Sequence, residues 1–173
     1  MSTPPKYPAG ERGAFVMPGA AERAAMIAEI ADLPALLTRV IAGLDAGKLG
    51  TKYVNWNSRQ IISHLADSHM NAFIRFKLAL TEENPSIKPY NQSAWAQTVD
   101  ADGDPTLSIK LLDGLHARWL ALLNAMTDAD FRKTFYHPEA DKTYTLAEGL
   151  HIYSWHGRHH AAQIQWMRQT HGW

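Results

Sequence analysis

The segment from Leu146 to Met167 has apolar residues at the spacing of a buried amphipathic helix, and two histidines lie on the same side. His156 and His160 are four residues apart, so both imidazoles project from one face and can bind a single metal ion. At about 100° per residue, His160 lies inside the apolar stripe and His156 at its edge. His159 lies towards the flank and is a reserve candidate. The spacing favours a metal site over a pair of ordinary buried histidines that hydrogen-bond to their neighbours.

Two other types of metal site do not fit this spacing. A zinc protease of the His-Glu-x-x-His type needs a glutamate directly after the first histidine, and this chain has Gly157 there. Glu148 and His151 match one Glu-x-x-His element of a di-iron bundle, but the sequence has no second copy. Glu148 also follows Thr145 by three residues, which is the spacing of a helix capping box. We therefore assign Glu148 to the beginning of the helix.

The charge balance and the absence of cysteine exclude further classes of function. Lysine plus arginine and aspartate plus glutamate number 17 each, so the basic surface that nucleic acid binding requires is missing. The chain has no cysteine, so any metal must be bound by histidine, aspartate or glutamate. The sequence shows neither a signal peptide nor an apolar run near the ~20 residues of a membrane span. We expect a cytoplasmic protein that does not contact membranes.

Four segments with helical periodicity predict an all-α fold, a four-helix bundle with long ordered loops. The 173 residues, 46% of them hydrophobic, suffice for one domain, which we place at residues 1–173. Residues 1–19 contain four prolines and three glycines and predict an N-terminal arm packed on the bundle. The helices are predicted at residues 20–46, 57–81, 104–126 and 145–170.

Local signals predict how these helices begin and how they are connected. Asn57 and Gln60 have the spacing of a capping box at the second helix, and Pro34 predicts a kink in the first. Residues 82–104 predict a long ordered crossover of the kind that often borders a site. Residues 133–144 predict a short hairpin before the fourth helix.

The second helix carries a line of polar residues at helical spacing, flanked by Asp67. Such a line is ordinarily a solvated face, and His69 lies nearer the apolar centre than His64 does. Periodicity therefore does not select His64 as a ligand. His116, on the third helix, has no partner nearby in sequence and is interpreted as structural. The polar line consists of His64, Ser68, Asn71 and Arg75.

Two motifs resemble the DinB superfamily, and within it the YfiT-like group described as metal-dependent hydrolases. They are WNSRQIISHLADSHMN, which begins at Trp56, and WHGRHHAAQI, which begins at Trp155; the similarity extends over nearly the whole chain. The resemblance implies a four-helix bundle that binds one divalent ion per chain, zinc or nickel, through three histidines. The motif histidines fall on His64, His156 and His160.

The resemblance also implies what the protein does. The first hypothesis is a hydrolase whose three-histidine site activates water, and the second is a transferase of a low-molecular-weight thiol such as bacillithiol. A bundle that uses the metal only for stability is a third alternative. Because YfiT-like members resemble homodimers, we expect a homodimer that acts on a small-molecule substrate. No general base is identifiable, and the catalytic residues stay unknown.

Several other polar or aromatic side chains are candidates for a substrate pocket or for supporting the metal ligands. Because ligating histidines must be neutral, metal affinity is also expected to weaken as the pH falls towards about 6.5. The candidate residues are Asp67, Asn71, Arg75, Tyr90, Trp95 and His159.

Overall fold

The computed structural model describes residues 3–173 and consists mainly of four long helices. Two short strands form an antiparallel hairpin before the last helix, as predicted, with Thr134 opposite Thr145. The predicted four-helix bundle is therefore confirmed. The long helices are α1 (Ala20–Ile41), α3 (Ser58–Thr81), α5 (Pro105–Ala125) and α7 (Leu146–His171). The short helices are α2 (Ala46–Leu49), α4 (Gln92–Trp95) and α6 (Asp128–Arg132), and the strands are β1 (Thr134–His137) and β2 (Lys142–Thr145).

Helices α1 and α3 lie on opposite corners of the bundle, and so do α5 and α7. Helix α1 packs mainly against α5 and α7, and α3 packs mainly against the same two helices. The order around the bundle is therefore α1, α5, α3, α7. As a result, α3 and α7, which carry the expected metal ligands, are neighbours. No helix within residues 3–173 is long and apolar enough to cross a membrane.

Side chains define the beginnings of α3 and α7. The Asn57 side chain accepts a hydrogen bond from the Gln60 amide at 3.0 Å, and the Gln60 side chain accepts one from the Asn57 amide at 3.1 Å. The predicted capping box is therefore formed. Thr145 Oγ1 caps the Glu148 amide at 3.1 Å, but the Glu148 carboxylate pairs with Lys142 instead of closing a second box.

The first helix ends earlier than predicted. Apolar spacing continues to Leu44, yet α1 ends at Ile41. Gly43 follows with a φ of +74°, a conformation that is strained for other residues and that turns the chain away from the helix axis. The helix is continuous through Pro34, which is buried.

The crossover of residues 82–104 is attached to the capped end of α3. Gln60 Nε2 donates to the Ala96 carbonyl at 2.8 Å, and Asn57 Nδ2 donates to Asp102 Oδ1 at 2.8 Å. The crossover contains α4 and a turn of 3-10 helix at Val99–Asp102. The capping residues thus also hold the long connection in place.

The residues before α1 contact the outer side of α7 and the loop before α3. Trp155 Nε1 donates to the Gly10 carbonyl at 3.0 Å, and the Tyr53 hydroxyl donates to the Pro5 carbonyl. The Tyr7 ring lies 6.1 Å from the His159 ring. Of the arm predicted at residues 1–19, residues 1 and 2 lie outside the described part.

The bundle has two apolar clusters, and a layer of histidines lies between them. One cluster surrounds Phe76 and Trp119, and the other surrounds Leu37 and Ile62. His69 on α3, His116 on α5 and the pair on α7 lie between the residues that enter one cluster and those that enter the other, and His64 lies one turn before His69, among residues of the second cluster. The five histidines of this layer are His64, His69, His116, His156 and His160.

Close packing of α1 on α7 next to this layer gives the first prediction. A Cβ atom at Gly157 would lie 2.6 Å from a methyl carbon of Leu33, which is 2% exposed. Gly157→Ala should therefore lower the free energy of unfolding by about 1–2 kcal/mol, since overpacking exceeds the gain in helix propensity. A Cβ atom at Gly114, in the interior of α5, would have no atom within 4 Å outside the backbone of its own helix. Gly114→Ala should raise stability by about 0.5–1 kcal/mol.

Urea unfolding followed by circular dichroism, with a chelator present for both variants, measures the two changes. Shifts of the same sign in the two variants would contradict the packing argument.

Candidate metal centre

Three imidazoles from two adjacent helices converge on one point. His156 Nε2 lies 3.2 Å from His64 Nε2 and 3.2 Å from His160 Nε2. The nitrogens offered by the three residues all lie within 4.8 Å of one another. Tetrahedral zinc with bonds of 2.0–2.1 Å places its nitrogen ligands about 3.3 Å apart, so the spacing fits a single ion. The cluster contains no carboxylate.

The hydrogen bonds of His160 show which of its nitrogens faces the cluster as an acceptor. His160 Nδ1 lies 2.8 Å from Gln163 Oε1, and a carbonyl oxygen only accepts hydrogen bonds. Nδ1 therefore carries the proton, and Nε2 presents a lone pair to the cluster. His156 Nε2 lies between two nitrogens and has at most one proton, so hydrogen bonding cannot satisfy both contacts in the neutral state. A metal ion would use these lone pairs.

Burial keeps the three imidazoles uncharged. It lowers the pKa of His64 to about 4 and that of His160 to about 3, and it holds the pKa of His156 well below the ordinary value. The neighbouring histidines lower the pKa of His156 further. Neutral imidazole is the form that binds a metal. Burial therefore moves the acid limit of the site below the value near 6.5 that free histidine predicts.

His159 lies beside the cluster and does not belong to it. Its Nε2 atom lies 3.2 Å from Gln163 Nε2, and its ring stacks on Trp155 at 4.5 Å. Gln163 thus accepts from His160 with its carbonyl and donates to His159 with its amide. Reasoning from sequence did not select Gln163. Its position three residues after His160 and four after His159 on one helix is the signal that identifies it.

Two further histidines lie behind the cluster. His69 Nδ1 lies 2.9 Å from His116 Nε2, and both side chains are buried. The His69 ring lies 5.9 Å from the His156 ring at an interplanar angle of 26°. Within the described residues, His69 Nε2 and His156 Nδ1 are buried without a hydrogen-bond partner. His116, which has no partner nearby in sequence, therefore has one on the neighbouring helix α3.

A cavity of about 450 Å³ opens beside His156. Arg75 and Tyr90, two of the predicted pocket residues, line it together with Tyr153. Arg75 Nη1 donates to the Tyr153 hydroxyl at 2.9 Å, which connects α3 to α7 at the cavity wall. Burial raises the pKa of Tyr90 to about 12, so this phenol stays protonated at neutral pH.

Two more cavities reach the same centre from other sides. One of about 470 Å³ lies between the residues before α1 and α7, where Tyr7, Trp155 and His156 line it. The other, of about 530 Å³, is bordered by Trp56 and His160. The Trp56 ring lies 4.8 Å from the His64 ring and covers it on this side. The histidine cluster is thus buried but bordered by space for small molecules.

Three of the other predicted pocket residues do not line these cavities. Asn71 Nδ2 donates to the Asp67 carbonyl oxygen on its own helix at 2.8 Å. The Trp95 ring packs on Tyr90, with centroids 4.5 Å apart. Burial raises the pKa of the Asp67 carboxyl to about 6. The structure therefore brings Arg75 and Tyr90 next to the histidines and leaves Asp67, Asn71 and Trp95 outside the cavity linings.

Comparison with known proteins identifies close relatives. A protein of Bacillus mycoides (strain KBAB4), named "Putative metal-dependent hydrolase", is 48% identical over 149 residues, which cover 85% of this chain and 86% of the relative. A protein of Bacillus cereus (strain B4264) with the same descriptive name matches with the same identity and coverage.

The solved structure of YfiT from Bacillus subtilis has the same fold. It superposes with a TM-score of 0.93 at 40% identity and covers 96% of this chain and 97% of that one. YfiT is described as "a probable metal-dependent hydrolase with an unusual four-helix bundle topology". The DinB superfamily model matches residues 29–164, which include all three histidines of the cluster. The resemblance of the two histidine motifs is confirmed: the chain belongs to the DinB superfamily and is YfiT-like over nearly its whole length.

Proposed function

We propose that this protein is a metal-dependent hydrolase of small molecules in which His64, His156 and His160 bind one divalent ion, zinc or nickel. The observation that carries the proposal is the convergence of three neutral imidazole nitrogens beside open cavities. The names of the relatives support the same activity. Three neutral ligands leave such an ion its full double charge and an open position, which supplies Lewis acidity for activating water.

The protein's own side chains prepare this site. Gln163 accepts from His160 Nδ1 and thereby fixes the ring with Nε2 towards the cluster. Trp56 packs on His64 and excludes water from its outer face. The buried His69 ring lies against His156 and limits the movement of that ligand. The site is thus held rigid from three directions while the cavity beside His156 stays open.

Thiol transfer is the second candidate, because the cavities reach the histidines from different sides. One cavity ends at His156, and another ends at His160. A transfer between two substrates needs two binding spaces at one centre, whereas hydrolysis needs one space and water. The chain has no cysteine, so a thiol would come from solution.

A direct test uses the zinc-loaded protein and 4-nitrophenyl acetate, with and without bacillithiol or glutathione. Release of 4-nitrophenol without thiol, lost in His64→Ala, is expected if the protein is a hydrolase. A conjugate that forms only with thiol would support transfer instead. No turnover in either reaction, together with a lower melting temperature after chelation, would support a purely stabilising metal.

The neighbouring residues His159 and His160 should have different effects on metal affinity. His160→Ala removes one of three ligands and should weaken affinity by more than about 100-fold. His159→Ala removes only the partner of the Gln163 amide, so a loss of at most about 10-fold is expected. Competition with a chromogenic chelator measures both values, and circular dichroism checks that the variants fold. An empty site in His159→Ala with full metal content in His160→Ala would refute the ligand assignment.

The buried histidines also predict how stability depends on pH. In the unfolded chain they gain protons near pH 6.5, whereas burial holds the folded pKa of His64 and His116 at about 4. The unfolded state therefore binds more protons between these values, and the metal-free protein should lose stability as the pH falls from about 6.5 to about 4. Asp67, with a raised pKa of about 6, acts in the opposite direction but is one group against seven histidines whose pKa is lowered.

Urea unfolding of the chelated protein at pH 7, 6 and 5 measures this dependence. In His116→Asn, which removes one titrating group, the slope between pH 6 and pH 5 should be smaller. A free energy of unfolding that stays constant or increases between pH 7 and pH 5 would contradict the proposed cost of burying the histidines.

A further inference from the structure

Arg75 is a half-buried cation in the wall of the cavity that ends at His156. Among the described residues, its one side-chain hydrogen bond is the 2.9 Å contact from Nη1 to the Tyr153 hydroxyl, which is neutral. Within residues 3–173, no carboxylate lies within 4.0 Å of its guanidinium. A guanidinium has five N–H donors, so most of its hydrogen-bonding capacity is available to a molecule in the cavity.

The position of Arg75 is fixed by the same helices that form the histidine cluster. Tyr153 is buried in the core, one turn before His156 on α7, and its ring lies 6.5 Å from the His156 ring. By binding this phenol, the guanidinium from α3 is held near the cluster. The cavity therefore has a cation at one part of its wall and a proposed metal ligand at another.

The other titratable groups of the cavity do not neutralise Arg75. Burial lowers the pKa of His137, and the charge of Arg75 lowers it further, so His137 is neutral at pH 7. Tyr90 is also neutral because of its raised pKa. Glu139 is the one carboxylate among the lining residues, and it is exposed to solvent, where its charge is screened.

We propose that this cavity binds a substrate that carries a carboxylate, with Arg75 as the anchor and the reacting bond at the His156 end. Arginine binds carboxylates through two parallel hydrogen bonds, which fixes the orientation of the bound group. One arginine without a second cation suits a carboxylate better than a doubly charged phosphate. The remaining wall includes Pro89 and Ile152, which suit a short apolar linker. The location of the reacting end rests on the proposed function, whereas the anion site does not.

The test compares two series of probes that differ in one charge. The first series contains 4-nitrophenyl monoesters of adipate, pimelate and suberate, in which the carboxylate is too far from the ester to form a five- or six-membered cyclic anhydride, and the second contains the same compounds with the free carboxylate blocked as a methyl ester. Hydrolysis replaces the ester C–O bond by a bond to the oxygen of water and releases 4-nitrophenol. For zinc-loaded protein, kcat/KM for the best acid probe should exceed that for its blocked partner by about 10-fold or more.

Variants of Arg75 assign this preference to the guanidinium. In Arg75→Met the ratio of kcat/KM for the acid probe to kcat/KM for its blocked partner should fall to about one. In Arg75→Lys, which keeps the charge but cannot form two parallel hydrogen bonds, this ratio should be intermediate. Arg118→Met is the control, because Arg118 is exposed on α5 and does not line the cavity. Its ratio should equal that of the wild type. A ratio in Arg75→Met equal to that of the wild type would overturn the proposal.

A binding measurement keeps this test separate from catalysis. Titration calorimetry with glutarate, on metal-free and zinc-loaded protein, should show at least about 10-fold weaker binding in Arg75→Met than in Arg118→Met. Inorganic phosphate should bind more weakly than glutarate.

Failure of the anion-site proposal and failure of the hydrolase proposal give different results in these experiments. Glutarate binding that needs Arg75, with no hydrolysis of any probe, would support the anion site and refute the hydrolase. Hydrolysis without preference, with glutarate binding that is unchanged in Arg75→Met, would support the hydrolase and refute the anion site.

Discussion

The structure depends on keeping five imidazoles uncharged between two apolar clusters. Burial of a polar group is unfavourable unless the group finds a partner, and within the described residues the histidines of the layer meet this requirement only in part, since His69 Nε2 and His156 Nδ1 have none. His69 and His116 pair with each other, and His160 pairs with Gln163. The remaining lone pairs face one another at 3.2 Å around His156 Nε2. Lone pairs that face one another are unfavourable in a core without a metal, and the same lone pairs are suited to binding a metal ion.

Helix order and close packing bring the members of this layer together. Because α1 and α3 lie on opposite corners, α3 is next to α7, and their histidines meet. Gly157 lets α1 approach α7 closely next to the cluster, where Leu33 fills the space of the missing side chain. The hairpin and the crossover close the bundle incompletely, and cavities remain where they meet α3 and α7. The openings are thus a consequence of how the connections are anchored.

Much of this architecture was predictable from the sequence, because it depends on local signals. Periodicity gave the four helices, the pair Asn57 and Gln60 gave one helix beginning, and the four-residue spacing gave His156 and His160. Periodicity extended α1 too far because apolar residues continue past the point where Gly43 turns the chain. The local signals describe single helices, and they are least informative where two helices face each other.

His64 shows this limit most clearly. It belongs to a polar line that would be a solvated face on an isolated helix, but the face is buried because α7 offers polar side chains opposite it. Only the family motif selected it. Asp67 and Asn71 belong to the same region of α3, yet they lie outside the cavity linings. Spacing alone cannot separate them from Arg75, because the separation depends on the packing of the crossover.

The distance along the chain between the two halves of the cluster has a mechanical consequence. His64 and His156 are 92 residues apart, so coordination of both by one ion would close a loop that includes more than half of the protein. In a chain without cysteine, such an ion would act as a removable cross-link. By loop-closure arguments, a permanent link of this span restricts the unfolded chain by an entropy worth about 4–5 kcal/mol. Release of the ion would remove this restriction on the unfolded chain. The stability of the whole bundle would therefore depend on the fraction of the protein that holds the ion.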